Sequence, residues 1–166
     1  MIEVIDNRIP LMALRQYYDK VSSSMFPWYF SPVVEHTGDI SELEKKLNFQ
    51  FAHTLYNNNV PRNEWFNSLS GILDFVPDYH SLVRMKINFN PCYSEIVEHS
   101  YHIDVPFDCK TCIIYLNSND GYTIFETGEK IESVEGRMVI FPSNLYHTGT
   151  TCTNTSGRFV ININYF

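Results

Sequence analysis

The chain has 166 residues, enough for one domain that buries about two thirds of its unfolded surface in a single core. Charged residues make up 19% of it and aromatics 15%, with twelve Phe, eleven Tyr and two Trp, a balance that excludes a disordered chain and suits a β-rich interior. The formal net charge of −7 argues against sequence-independent binding to a nucleic-acid backbone, which needs clustered Lys and Arg.

Met1 to Ile9 mixes acidic and apolar residues without the apolar run of a secretory leader. No later stretch reaches the roughly 20 apolar residues of a membrane span. The expectation is a soluble, cytoplasmic protein, in a host cytoplasm were its source viral. Ile2 to Ile5 reads as a short strand. Pro10 to Val21 reads as a helix, with Leu11, Leu14 and Tyr18 on one face and Pro10 suited to the first turn. The run Pro27-Trp28-Tyr29-Phe30 reads as core or packing surface in preference to the lining of a mouth. Ser41 to Leu47 is expected to be a short helix and Phe49 to Tyr56 a strand, with a turn at Asn57-Asn58-Asn59. Trp65, Phe66, Leu69, Ile72 and Leu73 form an apolar stripe that predicts a helix over Asn63 to Val76, ended by Pro77.

From there the pattern becomes all-β. Short alternating segments cover Leu82 to Asn90, Tyr101 to Val105, Thr111 to Asn117, Gly121 to Thr127, Glu129 to Glu132, Arg137 to Phe141, His147 to Thr151 and Arg158 to Phe166. Such close spacing predicts antiparallel sheets rolled into a jelly roll around a cavity, with the helices backing one sheet. The expected organisation is a single domain over 1–166, with a helical support region at 1–80 and a jelly-roll core at 81–166. In the last strand Phe159, Ile161, Ile163 and Tyr165 share one face and Arg158, Val160, Asn162 and Asn164 the other. That polar face belongs either to solvent or to the cavity. Arg84, Lys86, Asn88 and Asn90 form a similar polar face on Leu82 to Asn90, and convergent polar groups of this kind are what a binding cavity requires.

His102 and Asp104, two apart in an extended segment, project an imidazole and a carboxylate from one face. A third ligand from a distant strand, such as His147, would complete the two-histidine, one-carboxylate set that holds non-haem Fe(II) with positions left open. Arg158 follows His147 by eleven residues. His-x-Asp, a distal His and an Arg about ten residues beyond it resemble the motif of the Fe(II)/2-oxoglutarate-dependent oxygenase superfamily. Residues 112–117, 121–125, 137–141 and 158–166 resemble, in order, the core strands of its prolyl-hydroxylase-like branch, including small phage and bacterial members. The likeness covers about half the chain, roughly residues 82–166, and its ligand spacing is its specific part.

The resemblance implies a mostly β fold with flanking α-helices, a double-stranded β-helix (jelly roll, cupin-like) core backed by N-terminal helices. It implies that His102, Asp104 and His147 hold Fe(II), and that 2-oxoglutarate and O2 take the open positions, with release of succinate and CO2. Arg158 would pair with the far carboxylate of 2-oxoglutarate, with Tyr115 supplementing it and Thr123, Asn88 and Asn164 as further cosubstrate contacts. Asn164 departs from the aromatic residue common at its position. The expected substrate is a protein or peptide residue such as proline. A small-molecule or nucleic-acid oxygenase and a non-catalytic jelly-roll binding module are the alternatives. His36, His53 and His80 read as surface or core residues. His99, with Tyr93 and Glu95, lies in the segment Pro91 to Ser100, where relatives carry a loop that closes over substrate. Cys92, Cys109, Cys112 and Cys152 read as reduced structural thiols, because the pair Cys109 and Cys112 has no second zinc-binding pair. The sequon at Asn154 carries little meaning without secretion.

Overall fold

The alternating segments of the C-terminal half build two antiparallel sheets, seen in a computed structural model that describes residues 1–32 and 46–166. The large sheet runs in the order β1 (Glu3–Ile5), β9 (Met138–Pro142), β6 (Lys110–Tyr115), β11 (Gly157–Tyr165), β5 (Leu82–Pro91), β3 (Phe49–Asn57), β2 (Tyr29–Pro32), with β4 (Val60–Pro61) paired to the end of β3. The small sheet runs β10 (His147–Gly149), β7 (Tyr122–Phe125), β8 (Lys130–Glu132). A turn containing Gly128, at φ 85°, joins β7 to β8, a left-handed backbone that suits glycine.

Two cores flank the large sheet. On one side α1 (Leu11–Val21), α2 (Trp65–Leu69) and the 3₁₀ turn Ser70–Phe75 bring Leu14, Val21, Leu69 and Ile72 onto Ile87, Phe159, Ile161 and Ile163. On the other side Ile113, Tyr115, Val139, Phe141 and Val160 meet Phe125 and Ile131 of the small sheet. All nine residues of β11 are buried, so its polar face turns to the interior between the sheets and not to solvent. The register sets Arg158 opposite Asn90, Asn162 opposite Lys86 and Asn164 opposite Arg84.

Some elements differ from expectation. Tyr101 to Val105 is no regular strand. It makes one antiparallel bridge, His102 with His147, through mutual backbone hydrogen bonds of 2.9 and 3.0 Å. Two residues on, the Asp104 N–H instead donates to the Ser143 carbonyl at 3.1 Å, because the segment is crossing from the small sheet toward the end of β9. The expected helix over Asn63 to Val76 is a short α-helix that tightens into the 3₁₀ turn at Ser70. Gly71 allows this close packing, since a Cβ there would stand 3.0 Å from the Tyr17 hydroxyl of α1. Of the aromatic run, Trp28 packs on Phe26, Phe89 and Phe159, whereas Tyr29 and Phe30 are exposed on the edge strand β2. The helix expected at Ser41 to Leu47, but for its last two residues, and His36 lie outside the described residues. Among the described residues no helix is long and apolar enough to cross a membrane.

Ile161, fully buried at the centre of β11, is expected to cost about 3 kcal/mol when truncated to Ala, read as a lower denaturant midpoint with unchanged slope.

Candidate metal centre

His102 and His147 face each other across the single bridge of the crossing segment, with ring centroids 4.7 Å apart. Asp104 Oδ2 lies 3.8 Å from His147 Nε2. One ligand atom from each of the three lies within 4.8 Å of the others, and among the described residues no other His, Cys, Asp and Glu group is so placed. The tautomers follow from the second ring nitrogens. His102 Nδ1 is 3.2 Å from the Ser100 carbonyl and His147 Nδ1 is 3.0 Å from that of Leu145. A carbonyl only accepts, so each Nδ1 carries the proton and each Nε2 keeps its lone pair. Burial lowers both imidazoles below their ordinary range; His147 adds to the effect at His102, although that residue keeps an exposed edge. Two neutral imidazoles and one carboxylate on one side of a point fit a divalent iron ion.

Asp104 sits in a cage that keeps it charged. Arg84 Nη2 donates to Oδ1 at 2.7 Å, while Thr111 Oγ1 and Asn162 Nδ2 donate to Oδ2 at 3.1 and 3.0 Å. Asn164 closes the ring: its Nδ2 donates to Thr111 Oγ1 at 2.8 Å and its Oδ1 accepts from Arg84 Nε at 2.8 Å. Burial opposes ionisation of Asp104, but Lys86, His147 and Arg84 outweigh it and hold the carboxyl well below the usual range.

Beside these ligands is a narrow cavity lined by His102, His147, Lys86, Asn88, Asn90 and Asn162, with Thr123, Gly149 and Arg158 among its other walls. Arg158 is 3% exposed and has no acidic partner among the described residues. Its Nε donates to Ser133 Oγ at 2.8 Å and its Nη2 to Thr123 Oγ1 at 2.9 Å, and its guanidinium carbon lies 5.3 Å from the Tyr115 ring centre. The Tyr115 hydroxyl donates to the same Thr123 oxygen at 2.8 Å, which leaves the Thr123 proton free to donate onward. Nη1 lies against Gly149, where a Cβ would come within 3.0 Å. A buried guanidinium without a carboxylate is costly, so the arrangement calls for an anion from outside the chain.

The structure thus brings His102, Asp104 and His147 together, and gathers Arg158, Tyr115 and Thr123 into one cluster. Asn88 lines the cavity with its Oδ1 buried and unpartnered. Asn164 is placed differently from expectation: it is fully buried and does not line the cavity, because Arg84 and Thr111 occupy both ends of its amide. His99 does line the cavity, 3.1 Å from Asn48 Oδ1 and 3.2 Å from Asn90 Oδ1. Tyr93 and Glu95 do not. The segment they share is stitched to the chain that continues β10. Val97 and Thr151 exchange bonds of 2.9 and 3.0 Å, and His99 N–H donates to Gly149 at 3.0 Å.

No motif in the sequence gives Arg84, Thr111 or Ser133 a role. The polar face of β5 was the signal for Arg84; Ser133 has none, since it meets Arg158 only through the fold. Cys109 and Cys112 are free and buried, with no metal group around them among the described residues.

The sequence matches no protein-family profile and no curated protein. Solved structures do match. A 2OG-Fe(II) oxygenase family oxidoreductase from Burkholderia pseudomallei aligns with a TM-score of 0.63 at 12% identity, covering 99% of this chain and 84% of that one. A Trichoplax adhaerens prolyl hydroxylase in complex with a hypoxia inducible factor oxygen degradation domain peptide aligns at 0.56 and 17% identity, over 99% and 83%. The non-haem α-ketoglutarate-dependent epimerase SnoN from nogalamycin biosynthesis aligns at 0.67 and 8% identity, over 99% and 78%. The fold is that of the Fe(II)/2-oxoglutarate oxygenases, prolyl hydroxylases among them, with a jelly-roll core.

Asp104→Ala is expected to weaken Co(II) binding, followed by its visible absorption, by about 100-fold or more, beyond the 10–100-fold typical of losing even an outer partner of a metal ligand. The circular dichroism of the metal-free protein should be retained.

Proposed function

We propose that the protein is an Fe(II)- and 2-oxoglutarate-dependent dioxygenase that hydroxylates a protein or peptide residue, with proline the leading candidate, and releases succinate and CO2. The observation that carries this reading is the buried, acid-free Arg158 sharing a cavity with the His102, Asp104 and His147 set. Bound there, Fe(II) and 2-oxoglutarate would supply the oxygen chemistry, one atom of O2 entering succinate as CO2 leaves and the other entering a substrate C–H bond.

The chain's own residues have separable tasks in this reading. His102 and His147 offer Nε2 lone pairs, each ring held by its Nδ1 bond to a backbone carbonyl. Asp104 offers a carboxylate whose orientation is fixed by Arg84, Thr111 and Asn162. Arg158 takes the far carboxylate of the cosubstrate, with Thr123 donating its free proton and Tyr115 fixing the direction of that hydroxyl. Asn88 is a further polar contact on the same wall. Asn164 acts at one remove, by positioning Arg84 and Thr111.

The peptide class draws support from the likeness to a prolyl hydroxylase that binds a peptide, and the exposed aromatics Tyr29 and Phe30 on the edge strand provide surface for one. A small-molecule substrate is the second reading, supported by the likeness to the epimerase SnoN. A nucleic-acid substrate is disfavoured by the net charge of −7.

The test is succinate formation by the Fe(II)-loaded protein with 2-oxoglutarate and O2, combined with a mass-spectrometric search for one added oxygen atom across peptide and small-molecule panels. Arg158→Met should raise the Kd for 2-oxoglutarate by about 10- to 100-fold, the worth of a hydrogen bond to a charged group, and leave Co(II) affinity nearly unchanged. Peptide products would support the first reading and small-molecule products the second. Absence of succinate from protein that binds both metal and 2-oxoglutarate would leave a binding module.

A further inference from the structure

The cavity holds one more cation than the proposed chemistry uses. Lys86 lines it from the β5 position opposite Asn162; it feels the Asp104 carboxylate at longer range, but among the described residues its side chain makes no hydrogen bond or close ion pair. Arg84, two residues away on the same face, is already committed to Asp104 and Asn164. With metal and cosubstrate in place, the two charges of Fe(II) and the one of Arg158 are matched by Asp104 and the two carboxylates of 2-oxoglutarate. Arg84 and Lys86 are then in excess, and only Lys86 is open to the cavity. Beside it, Asn162 is 4% exposed, with Nδ2 bound to Asp104 and Oδ1 buried and unpartnered. The molecule as a whole is acidic, so this surplus of positive charge is local to the cavity.

We propose that the substrate oxidised at this site carries a carboxylate and that Lys86 is the residue that reads it. The proposal rests on the oxygenase reading given above and narrows its substrate to an acid: a free amino acid, or a peptide with an acidic side chain or C-terminal carboxylate at the reacting residue. A lone ammonium balances a single negative charge, and in a site shielded from water that pairing discriminates acid from amide. Asn162 Oδ1 can accept an N–H or O–H of the same molecule. Burial lowers the pKa of Lys86, and the Asp104 carboxylate opposes that shift.

The test uses calorimetric titration of full-length protein loaded with Fe(II) and 2-oxoglutarate in the absence of O2. The probes are free amino acids against their C-terminal amides, and blocked Pro-Asp and Pro-Glu dipeptides against their Asn and Gln counterparts. The expected result is that at least one acid binds about tenfold or more tightly than its amide, that Lys86→Met removes the preference, and that Lys86→Arg keeps it. The affinity of Lys86→Met for 2-oxoglutarate, titrated separately, should stay within about threefold of wild type. Equal binding of acids and amides by the wild type, or no binding of either, would overturn the proposal. So would a Lys86→Met protein that keeps the acid preference but loses 2-oxoglutarate, since Lys86 would then serve the cosubstrate. Failure of 2-oxoglutarate to bind the wild type overturns the oxygenase reading separately, and the acid preference is then read on protein with Fe(II) alone.

Discussion

Burial of β11 on both faces is the constraint on which the rest depends. A strand that faces solvent on one side can tolerate a polar face there, but β11 has none to offer: its nine residues are all enclosed. Phe159, Ile161 and Ile163 must meet the helices, and Arg158, Val160 and Asn162 must meet the second sheet. A slip of one residue would exchange the two sets and drive a guanidinium and amides into a hydrocarbon core. The pairing with β5 and β6 is therefore strongly specified, and with it the positions of Arg158 and of the amides that reach the cavity. Fold and site are selected by the same alternation.

Charges in the interior serve selection more than stability. Replacing a buried ion pair such as Arg84 with Asp104 by apolar groups is often neutral or stabilising in proteins, so its presence is weak evidence for stability. What it does here is fix the direction of a carboxylate whose second oxygen faces His147. Arg158 shows the same logic from the other side. Its hydrogen bonds go to two hydroxyls and its flank to Gly149, so its orientation is set while its charge stays unmatched. Ser133 and Thr123 position the cation; a carboxylate would neutralise it.

The parts legible in the sequence were those carried by local order. The two-residue interval of His102 and Asp104, the later His147 and the Arg158 beyond it could be recognised without knowing any contact. The two faces of β11 could be listed, but whether the polar one met water depended on a second sheet covering it, which is a long-range fact. For the same reason Arg84 and Lys86, charged residues on an alternating strand, carried no role of their own. The position of Asn164 in the motif suggests a cosubstrate contact, but its neighbours Arg84 and Thr111, each far away in sequence, give it another place. The interruption after Leu69 is marked by Gly71, yet the Tyr17 hydroxyl that a Cβ there would crowd lies on another helix. Tyr101 to Val105 has the alternation of a strand, but its hydrogen bonds go to two different partners and no ladder forms.

That crossing segment shows how the chain divides its polar groups between structure and ligand. His102 is clamped to His147 and Asp104 to Ser143 by backbone bonds, and Ser143 is tied in turn to the Cys109 carbonyl by its N–H at 2.9 Å and to that of Phe107 by its hydroxyl at 2.8 Å. The ring nitrogens that would not touch a metal are satisfied as well. The ligand set is thus held in place by bonds that need no ion. The neighbouring wall is the reverse: Asn88 Oδ1 and Asn162 Oδ1 are buried without partners, and Lys86 lines the cavity beside them with no direct hydrogen bond to its side chain among the described residues. Each buried group left unpaired costs about 1–3 kcal/mol, and a ligand that pairs it recovers that free energy on binding. A site organised in this way keeps a stiff metal shell while discriminating among ligands by which unsatisfied groups they can meet, so its selectivity resides in the wall and not in the metal ligands.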